Sequence, residues 1–300
     1  MDFHKYHALG NDYIVIDPAE TQIELTPDAI RMICDRHRGV GSDGILFGPT
    51  TENNKTGLRI FNPDGSEAEK SGNGVRIFSK YLIDAGYVKN GRFALQTLGG
   101  EVFVEIVDEK ANRISVDMGT VTFKSTDIPV VGPEREVVDE EMIIQGEPYR
   151  MTCLSIGNPH CVIAIENPTR EHPHSRSALV SAWHKLAIKL GPYVERHQMF
   201  PKRINVQLVQ VIDRNAIKIE IWERGAGYTA ASGSSSCAAA SAMFRLGRVD
   251  RKVAVHMPGG VIDILIREDG HVLMTGAVAG VMSGKFHSEL RDHLNKDKAE

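Results

Sequence analysis

The sequence predicts a mixed α/β (α+β) fold with two pseudo-symmetric domains, each a mostly antiparallel sheet wrapped round a central helix. Three observations carry this prediction. The chain repeats a long pattern of elements once, each copy begins at a Ser-Gly helix start, and the second of these helices is built almost wholly from small residues. A helix that is small and apolar on every side is expected to lie buried within a sheet rather than on a surface.

The repeat covers much of the chain. Its first copy starts at Ser71 and its second at Ser232, 161 residues further on (232 − 71). In each copy a helical run leads to a strand that ends at a double glycine, and then to a further β-like segment and an acidic turn. This period is too long for a solenoid, whose repeats span about 20–50 residues. We therefore expect two copies of one domain, residues 1–122 plus 277–300 and residues 123–276, with both Ser-Gly helix starts facing one cleft.

Local signals place the other elements. A strand is predicted over residues 9–17 after a turn at Gly10, and a helix starts at Thr26, where threonine is the cap and Pro27 occupies the first turn. Glycines directly after Arg38 predict the end of that helix. The further predictions are a strand at 58–61, a helix over 72–85, and a hairpin of 103–107 with 113–118.

Composition narrows the class of protein. A formal charge of −4 gives no electrostatic reason to bind nucleic acid or an anionic membrane. No apolar run is long enough to span a bilayer, and the first residues lack the pattern of a secretory signal. Four cysteines are too few for a disulfide framework, and no spacing indicates a metal site. We expect a cytoplasmic enzyme or binding protein for a small molecule, with a homodimer left open.

The two Ser-Gly helix starts are candidates for binding an anion. The first N–H groups of a helix lack intrahelical partners, and the macrodipole makes this end positive. Glycine lets a carboxylate approach the backbone closely. Ser71 and Ser232 could alternatively be plain N-caps, which is a frequent role of serine. The duplicated placement favours a shared site for one carboxylate.

The chain resembles the pyridoxal-phosphate-independent diaminopimelate epimerases. The motifs that carry the resemblance are KYHALGND (5–12), RGVGSD (38–43), FNPDGS (61–66), SGNGVR (71–76), GNPH (157–160), RINV (203–206) and ERGAG (223–227). They follow the family's order and spacing over nearly the whole chain. The resemblance implies two similar domains, each a sheet round a central helix, and an amino-acid substrate without cofactor or metal.

The resemblance also implies the catalytic positions. In that family two cysteines at the helix starts exchange protons with opposite faces of the α-carbon; here both matching residues are serine, Ser71 and Ser232. A cysteine with a pKa of about 8.5 is partly thiolate at neutral pH, whereas a serine hydroxyl needs an adjacent base. The dipole of one helix end contributes at most ~2 kcal/mol. His160 is expected near the cleft as an aid, and Lys70 is either a second aid or a solvated residue.

Three explanations of the double serine stay open: an engineered replacement, a natural lineage that uses hydroxyls, or a relative that only binds. Ile77, Lys70 and the run Ser234-Ser235-Ser236 also depart from the family pattern, and an engineer had no reason to change them. This favours natural divergence over engineering.

By resemblance, a second set of residues holds the substrate. The expected substrate-binding residues are Asn11, Asn62, Gly72, Asn73, Asn158, Asn205, Glu223, Arg224, Gly233 and Ser234. Arg224 suits a two-point hold on a carboxylate. Gly44 stands where the family usually has Gln, and Tyr228 where it usually has Glu, so diaminopimelate (LL to meso) is the default substrate and histidine or another polar amino acid the runner-up. A non-catalytic amino-acid-binding protein and an enzyme that dehydrates a hydroxy-amino acid are the remaining alternatives.

The remaining cysteines and histidines are expected to be structural. Cys237 lies more than a turn beyond Ser232 and is predicted to belong to the core. Cys161 follows His160, and adjacent residues of a strand point to opposite faces, so a thiol–imidazole pair is not expected. The run of residues 172–174, His-Pro-His, has no metal-ligand spacing.

Overall fold

The computed structural model describes residues 1–21, 23–52, 55–89, 91–166 and 176–296, and residues 172–174 lie outside them. The elements in chain order are β1 (Asp2–Ala8), β2 (Asn11–Ile16), α1 (Pro27–Cys34), β3 (Ile45–Glu52), β4 (Lys55–Phe61), β5 (Glu67–Ala68), α2 (Gly72–Asp84), β6 (Arg92–Thr97), β7 (Gly100–Ile106), β8 (Arg113–Thr120), β9 (Glu140–Ile144), β10 (Glu147–Ser155), β11 (Pro159–Ala164), α3 (Arg176–Glu195), β12 (Asn205–Asp213), β13 (Ala216–Glu223), β14 (Gly227–Thr229), α4 (Gly233–Arg245), β15 (Lys252–Met257), β16 (Gly260–Ile266), β17 (His271–Ala277), β18 (Ala279–Lys285) and α5 (Ser288–Lys296).

The chain forms two compact units. Unit 1 comprises Met1–Asp117 and Thr275–Glu300, and unit 2 comprises Met118–Met274. Each unit has its own apolar core. In unit 1, α1 and α5 contribute to a core with the strands β1, β2 and β3. In unit 2, Trp183 and Leu190 of α3 pack with buried residues of β9 to β12.

The two units share one order of strand pairing. In unit 1, β1 pairs antiparallel with β2, β2 parallel with β3, β3 antiparallel with β4, β4 parallel with β6, and β6 antiparallel with β7. In unit 2, the strands β10, β11, β12, β13, β15 and β16 repeat the same series of directions. Parallel neighbours need a crossover, and α2 and α4 are the equivalent crossovers. The repeat in the sequence is therefore a repeat of topology.

Both crossover helices are buried among strands. Helix α2 contacts β1 to β4, and α4 contacts β10 to β13 as well as β15 and β16. Ala238, Ala239 and Ala240 of α4 have no exposed surface, and Cys237 is equally buried. Small side chains let the surrounding strands approach the helix closely from several sides. The predictions of an α+β fold with central helices and of a core position for Cys237 are confirmed.

The start of unit 1 differs from the sequence prediction. The predicted turn at Gly10 exists, but a strand, β1, also precedes it, and the two strands pair from His4↔Val15 to Ala8↔Asn11. Leu9 (φ 54°) and Gly10 (φ 88°) form a two-residue connection with positive φ at both positions. Such a connection twists in the same sense as the strands it joins. β2 therefore begins at Asn11, two residues after the predicted start at Leu9, and its partner β1 was not predicted.

Helix α1 is shorter than predicted. Thr26 caps it as expected, accepting from the Ala29 N–H, but the helix ends at Cys34 and not after Arg38. The carboxylate of Asp35 accepts from the backbone N–H groups of His37 and Arg38 at 2.8 Å each. An aspartate side chain that binds nearby backbone competes with helix continuation, which explains the earlier end.

Candidate functional site

The two helix starts have matching backbone geometry. Ser71 (φ −139°, ψ 116°) and Ser232 (φ −147°, ψ 127°) are both extended and directly precede helices that begin with glycine. In both units the backbone carbonyl of the serine accepts a hydrogen bond from the first turn of the helix. The donor is the Val75 N–H in α2 and the Ser236 N–H in α4. Each unit therefore presents the positive end of a buried helix at its serine.

The hydroxyls of the two serines have different surroundings. Ser71 Oγ accepts from the Gly74 N–H at 3.0 Å, which is an N-cap bond, and lies 3.4 Å from the Tyr13 hydroxyl. Ser232 makes no side-chain capping bond. Its backbone N–H instead approaches Met257 Sδ at 3.5 Å. The alternative role of plain N-cap therefore fits Ser71 and does not fit Ser232.

A chain of polar contacts in unit 1 fixes two of the predicted substrate-binding residues. Buried Arg76 donates to Asn73 Oδ1 at 2.6 Å, Asn73 Nδ2 donates to Asn11 Oδ1 at 2.9 Å, and Asn11 Nδ2 donates to Asp43 at 2.9 Å. The chain continues through Arg36, which bonds to Asp43 at 2.7 Å. These contacts orient both asparagine side chains towards the protein. The group that Asn73 can offer a ligand is consequently its backbone N–H at the helix start.

Asn62 and Lys70 are two further residues of unit 1 that the sequence singles out. The amide of Asn62 donates to Ser66 Oγ at 3.0 Å, and its backbone N–H bonds to the Ser66 carbonyl. Asn62 is therefore a turn residue in this structure, as its Asn-Pro-Asp-Gly motif indicates. Lys70 is half-buried directly before Ser71.

In unit 2 one buried network joins several predicted residues. Gln207 Nε2 donates to His160 Nδ1 at 3.0 Å and to Ser235 Oγ at 3.0 Å. His160 Nε2 lies 2.9 Å from Asn158 Oδ1, and Asn158 Nδ2 lies 3.5 Å from Ser234 Oγ. The network links β11 and β12 to the first turn of α4. It thereby fixes Asn158 beside a residue that is predicted to bind the reacting carboxylate.

The network also determines the protonation state of His160. With Gln207 Nε2 as donor, His160 Nδ1 is the acceptor, and the matching tautomer has its proton on Nε2, 2.9 Å from Asn158 Oδ1. Complete burial is the largest cause that lowers the pKa of His160, to about 3, and the charge of Arg224 lowers it further. The ring is neutral at physiological pH, and both nitrogens are engaged.

Asn205 braces the backbone around the predicted arginine. Its Oδ1 accepts from the Arg224 N–H at 2.9 Å, and its Nδ2 donates to the Pro159 carbonyl at 2.9 Å. The exposed guanidinium of Arg224 makes no hydrogen bond or ion pair with any described residue. Glu223 accepts from Thr229 Oγ1 at 3.1 Å. Arg224 is thus held by its backbone while its charged end stays available.

A buried carboxylate supports the same turn. Glu195, at the end of α3, accepts from Trp222 Nε1 at 2.8 Å and from the Gly225 N–H at 2.9 Å. Burial would raise the pKa of Glu195, yet these two hydrogen bonds and nearby arginines bring it below its ordinary value. The carboxylate is therefore ionised, and it holds the Trp222 side chain before Arg224 and the Gly225 backbone directly after it.

Sequence reasoning missed Gln207, Glu195 and Tyr13. Gln207 had a signal, because it is a polar residue two positions after Asn205 in the same strand, and alternate strand residues share a face. Glu195 and Tyr13 had none, since a glutamate at a helix end and a tyrosine in a strand are common.

The two departures from the family pattern have structural counterparts. A Cβ at Gly44 would lie 2.4 Å from the Phe61 carbonyl oxygen and 2.8 Å from Tyr13 Cε1, so the Tyr13 ring fills this space. Tyr228 donates to Glu220 at 2.6 Å, and its ring lies edge-on against His184, with centroids 4.4 Å apart. Burial and the contact with Glu220 raise the pKa of Tyr228.

The cysteines lie away from the helix starts. Cys161 directs its thiol towards Met151 and pairs across the strands with Cys153, on the side of β11 opposite to the His160 contacts. All four cysteines are reduced and buried. Within the described ranges no group of three His, Cys, Asp or Glu side chains could hold a metal ion. Over the same ranges no helix is long and apolar enough to cross a membrane.

Comparison with known proteins places these features in one family. A family model described as diaminopimelate epimerase matches residues 3–124 and 152–281. Diaminopimelate epimerase 2 of Nostoc sp. is 48% identical over 291 residues, which cover 97% of each chain. Diaminopimelate epimerase of Moorella thermoacetica is 38% identical over 290 residues, which cover 95% of this chain and 99% of the Moorella chain.

Solved structures match the fold at much lower identity. A hydroxyproline epimerase from Agrobacterium vitis aligns with a TM-score of 0.63 at 13% identity, over 95% of this chain and 91% of its own. A predicted epimerase from Pseudomonas aeruginosa aligns with a TM-score of 0.62 at 17% identity. The alignment covers 96% of this chain and 99% of the Pseudomonas chain. The doubled topology is therefore shared by distant proteins, and the full-length sequence matches are the narrower finding. By those matches the chain belongs to the diaminopimelate epimerase family.

Proposed function

We propose that this protein is an epimerase that inverts the α-carbon of diaminopimelate, LL to meso, with Ser71 and Ser232 as the acid–base pair. Membership of an epimerase family makes the chain an amino-acid isomerase. The relatives' names supply diaminopimelate as the substrate. One hydroxyl takes the α-proton, and the other delivers a proton to the opposite face, so no pyridoxal phosphate takes part.

One observation carries this proposal: the same extended serine precedes the same glycine-led helix in both units. A duplicated helix start suits a reaction that needs two proton-transfer groups of similar geometry. The backbone N–H groups of Gly72, Asn73, Gly233 and Ser234 would bind the reacting carboxylate, as helix N-termini bind anions. The negative charge of that carboxylate disfavours loss of the neighbouring α-proton. Its neutralisation by the helix ends therefore lowers the free energy of the carbanion-like transition state.

The distal groups of the substrate would bind at the second set of residues. Arg224 is the best supported member, because its guanidinium is exposed, held through its backbone by Asn205, and suited to a carboxylate. We retain Asn62, Asn158 and Glu223 in this set, and Asn11 and Asn205 act by orienting their neighbours. His160 then serves by orienting Asn158, since its buried neutral ring has no open nitrogen.

A second candidate substrate is a polar amino acid with one carboxylate, such as histidine. Tyr228 favours it, because this uncharged side chain is engaged with Glu220 and leaves position 228 without the carboxylate usual in the family. A two-carboxylate substrate requires Arg224, and a one-carboxylate substrate does not.

The test is α-proton exchange in deuterated water with a panel of amino acids, resolved by chiral chromatography. The expected result is deuterium at the α-carbon of diaminopimelate together with inversion, without added pyridoxal phosphate. The double variant Ser71→Ala/Ser232→Ala is the matched control and should show neither. Saturable binding by calorimetry without exchange of any amino acid would indicate a binding protein, and a keto acid product would indicate dehydration.

The assembly and location of the protein are separate proposals. We propose a cytoplasmic homodimer, which light scattering of the purified protein and fractionation of its native cells would check.

A further inference from the structure

Tyr13 places a phenol hydroxyl beside the candidate catalytic atom of unit 1. It lies in β2 with 7% of its surface exposed, and its hydroxyl is 3.4 Å from Ser71 Oγ. The ring passes over Gly44, where a Cβ would come within 2.8 Å of Tyr13 Cε1. A side chain at position 44 would thus displace the ring. Gly44 and Tyr13 together put the phenol next to Ser71.

The Ser71 Oγ atom can accept a second hydrogen bond from this phenol. Ser71 Oγ already accepts from the Gly74 N–H at 3.0 Å, which fixes its rotamer from the helix side. A serine hydroxyl loses its proton far less readily than a thiol and needs a neighbouring group to do so. Hydrogen bonds donated to an oxyanion stabilise the charged form. An O–H from Tyr13 would be a second donor to the same oxygen.

We propose that Tyr13 is a positioning residue for Ser71, orienting its hydroxyl and donating a hydrogen bond to Oγ when that oxygen carries negative charge. This rests on the proposed function of Ser71 as an acid–base group. In the step, Ser71 reacts as the alkoxide, after its own hydroxyl proton has passed to solvent water. The α-C–H bond breaks, its electron pair stays on the carbon, and its proton forms the O–H bond of Ser71. Tyr13 keeps its own proton throughout. Its hydrogen bond weakens as the charge on Oγ disappears.

The other unit shows no such pairing. The Ser232 hydroxyl makes no hydrogen bond with a described residue, and α4 is without the cap bond that α2 has. The phenol therefore distinguishes one serine from the other. Its removal should affect chemistry at Ser71 alone.

The first test is Tyr13→Phe, which removes the hydroxyl and keeps the ring over Gly44. Tyr6→Phe is the matched control, because Tyr6 lies directly opposite Tyr13 in the β1–β2 pair and donates to Asp84 instead. We expect kcat for α-proton exchange to fall at least about tenfold in Tyr13→Phe, as for loss of one hydrogen bond to a charged group, with KM within about twofold. Tyr6→Phe should keep kcat within about twofold. Equal kcat in Tyr13→Phe and the parent would overturn the proposal.

The second test does not depend on activity. Ser71→Cys introduces a thiol whose pKa can be measured from the pH dependence of alkylation by iodoacetamide, while the four native thiols are buried. Adding Tyr13→Phe should raise the pKa of the introduced thiol by about one unit, equivalent to a tenfold change in its ionisation. Adding Tyr6→Phe should leave it unchanged. An unchanged pKa in both double variants would contradict the role of Tyr13.

The two tests separate this inference from the proposed function. If the parent protein exchanges no amino acid, the proposed function is wrong, and the role of Tyr13 that rests on it is wrong as well. If the parent exchanges normally and Tyr13→Phe matches it in kcat and in the pKa of the introduced thiol, only the inference about Tyr13 fails.

Discussion

The side-chain amide of Gln207 donates a 3.0 Å hydrogen bond to Nδ1 of His160. This bond occupies the ring nitrogen that would otherwise accept a proton, and Asn158 Oδ1 lies 2.9 Å from the other ring nitrogen as its hydrogen-bond acceptor. His160 was expected from the sequence as an aid to proton transfer. In the structure its ring connects Gln207 of β12 to Asn158, and it belongs to the buried scaffold beside the proposed substrate-binding residues.

The buried neutral state of His160 makes stability depend on pH. Its pKa is lowered to about 3 when folded, against about 6.5 when unfolded. Below pH 6.5 the unfolded state binds the proton and the folded state does not, so stability falls as the pH decreases towards 3. From pH 7 to pH 5 this amounts to about 2 kcal/mol. Urea unfolding should show that loss in the parent and a clearly smaller one in His160→Gln; equal losses would mean that His160 is not buried neutral.

Ser71→Ala and Ser232→Ala should each abolish α-proton exchange and leave ligand affinity nearly unchanged, because the proposed hold on the carboxylate is through backbone N–H groups. Their effects on stability should differ. Ser71→Ala removes a capping bond to Gly74 and should lower the free energy of unfolding by about 1 kcal/mol, whereas Ser232→Ala removes none. Exchange assays, calorimetry and urea midpoints measure the three quantities. If both variants exchange as fast as the parent, the hydroxyls are not the acid–base groups.

The double replacement Ser71→Cys/Ser232→Cys should retain or raise activity. Thiols ionise more readily than hydroxyls, and the helix-end geometry is already present in both units. The measurement is kcat for exchange with the same substrate as the parent. Activity in the double cysteine variant alone would identify the serine protein as an inactive relative, and a fall below the parent would show that the site is adapted to hydroxyls.

Arg224→Ala should abolish turnover of diaminopimelate and only weaken turnover of an amino acid with one carboxylate. The reason is that the exposed guanidinium would hold the distal carboxylate and take no part at the α-carbon. Arg214→Ala is a suitable control, since Arg214 is an exposed arginine of unit 2 that pairs with Asp250. Steady-state kinetics with both substrate types decide the matter, and equal losses for both would contradict the distal role.

Glu195→Gln should raise KM for a two-carboxylate substrate more than it lowers kcat. The amide nitrogen would face the N–H of Trp222 or Gly225, and a buried unmade hydrogen bond costs about 1–3 kcal/mol. The turn that carries Arg224 would then lose its fixed position. Glu136→Gln, at an exposed ion pair with Arg245, is the control and should change neither KM nor stability appreciably. A Glu195→Gln protein with unchanged KM would assign Glu195 a purely structural role.

The repeat in the sequence was enough to predict the fold, because each copy carries its own helix start, small-residue or apolar helix and hairpin strands. It could not predict where α1 ends, since that depends on which backbone groups Asp35 happens to bind. Of the candidate site, the helix starts were visible as Ser-Gly pairs. The contacts of Tyr13 with Ser71 and of Gln207 with His160 were not visible, because they join residues 58 and 47 positions apart. Only the folded chain brings them together.

The crowding around α4 limits how this protein can change. Residues Ala238, Ala239 and Ala240 have no exposed surface on any side, and an added methylene in such a place forces neighbouring backbone to move. Selection can therefore exchange the side chain at position 232, which directly precedes the helix, but it cannot tilt or thicken the helix itself. New substrates in this lineage would have to be accommodated by the turns that surround the helix start, which evolve while the central helix stays the same.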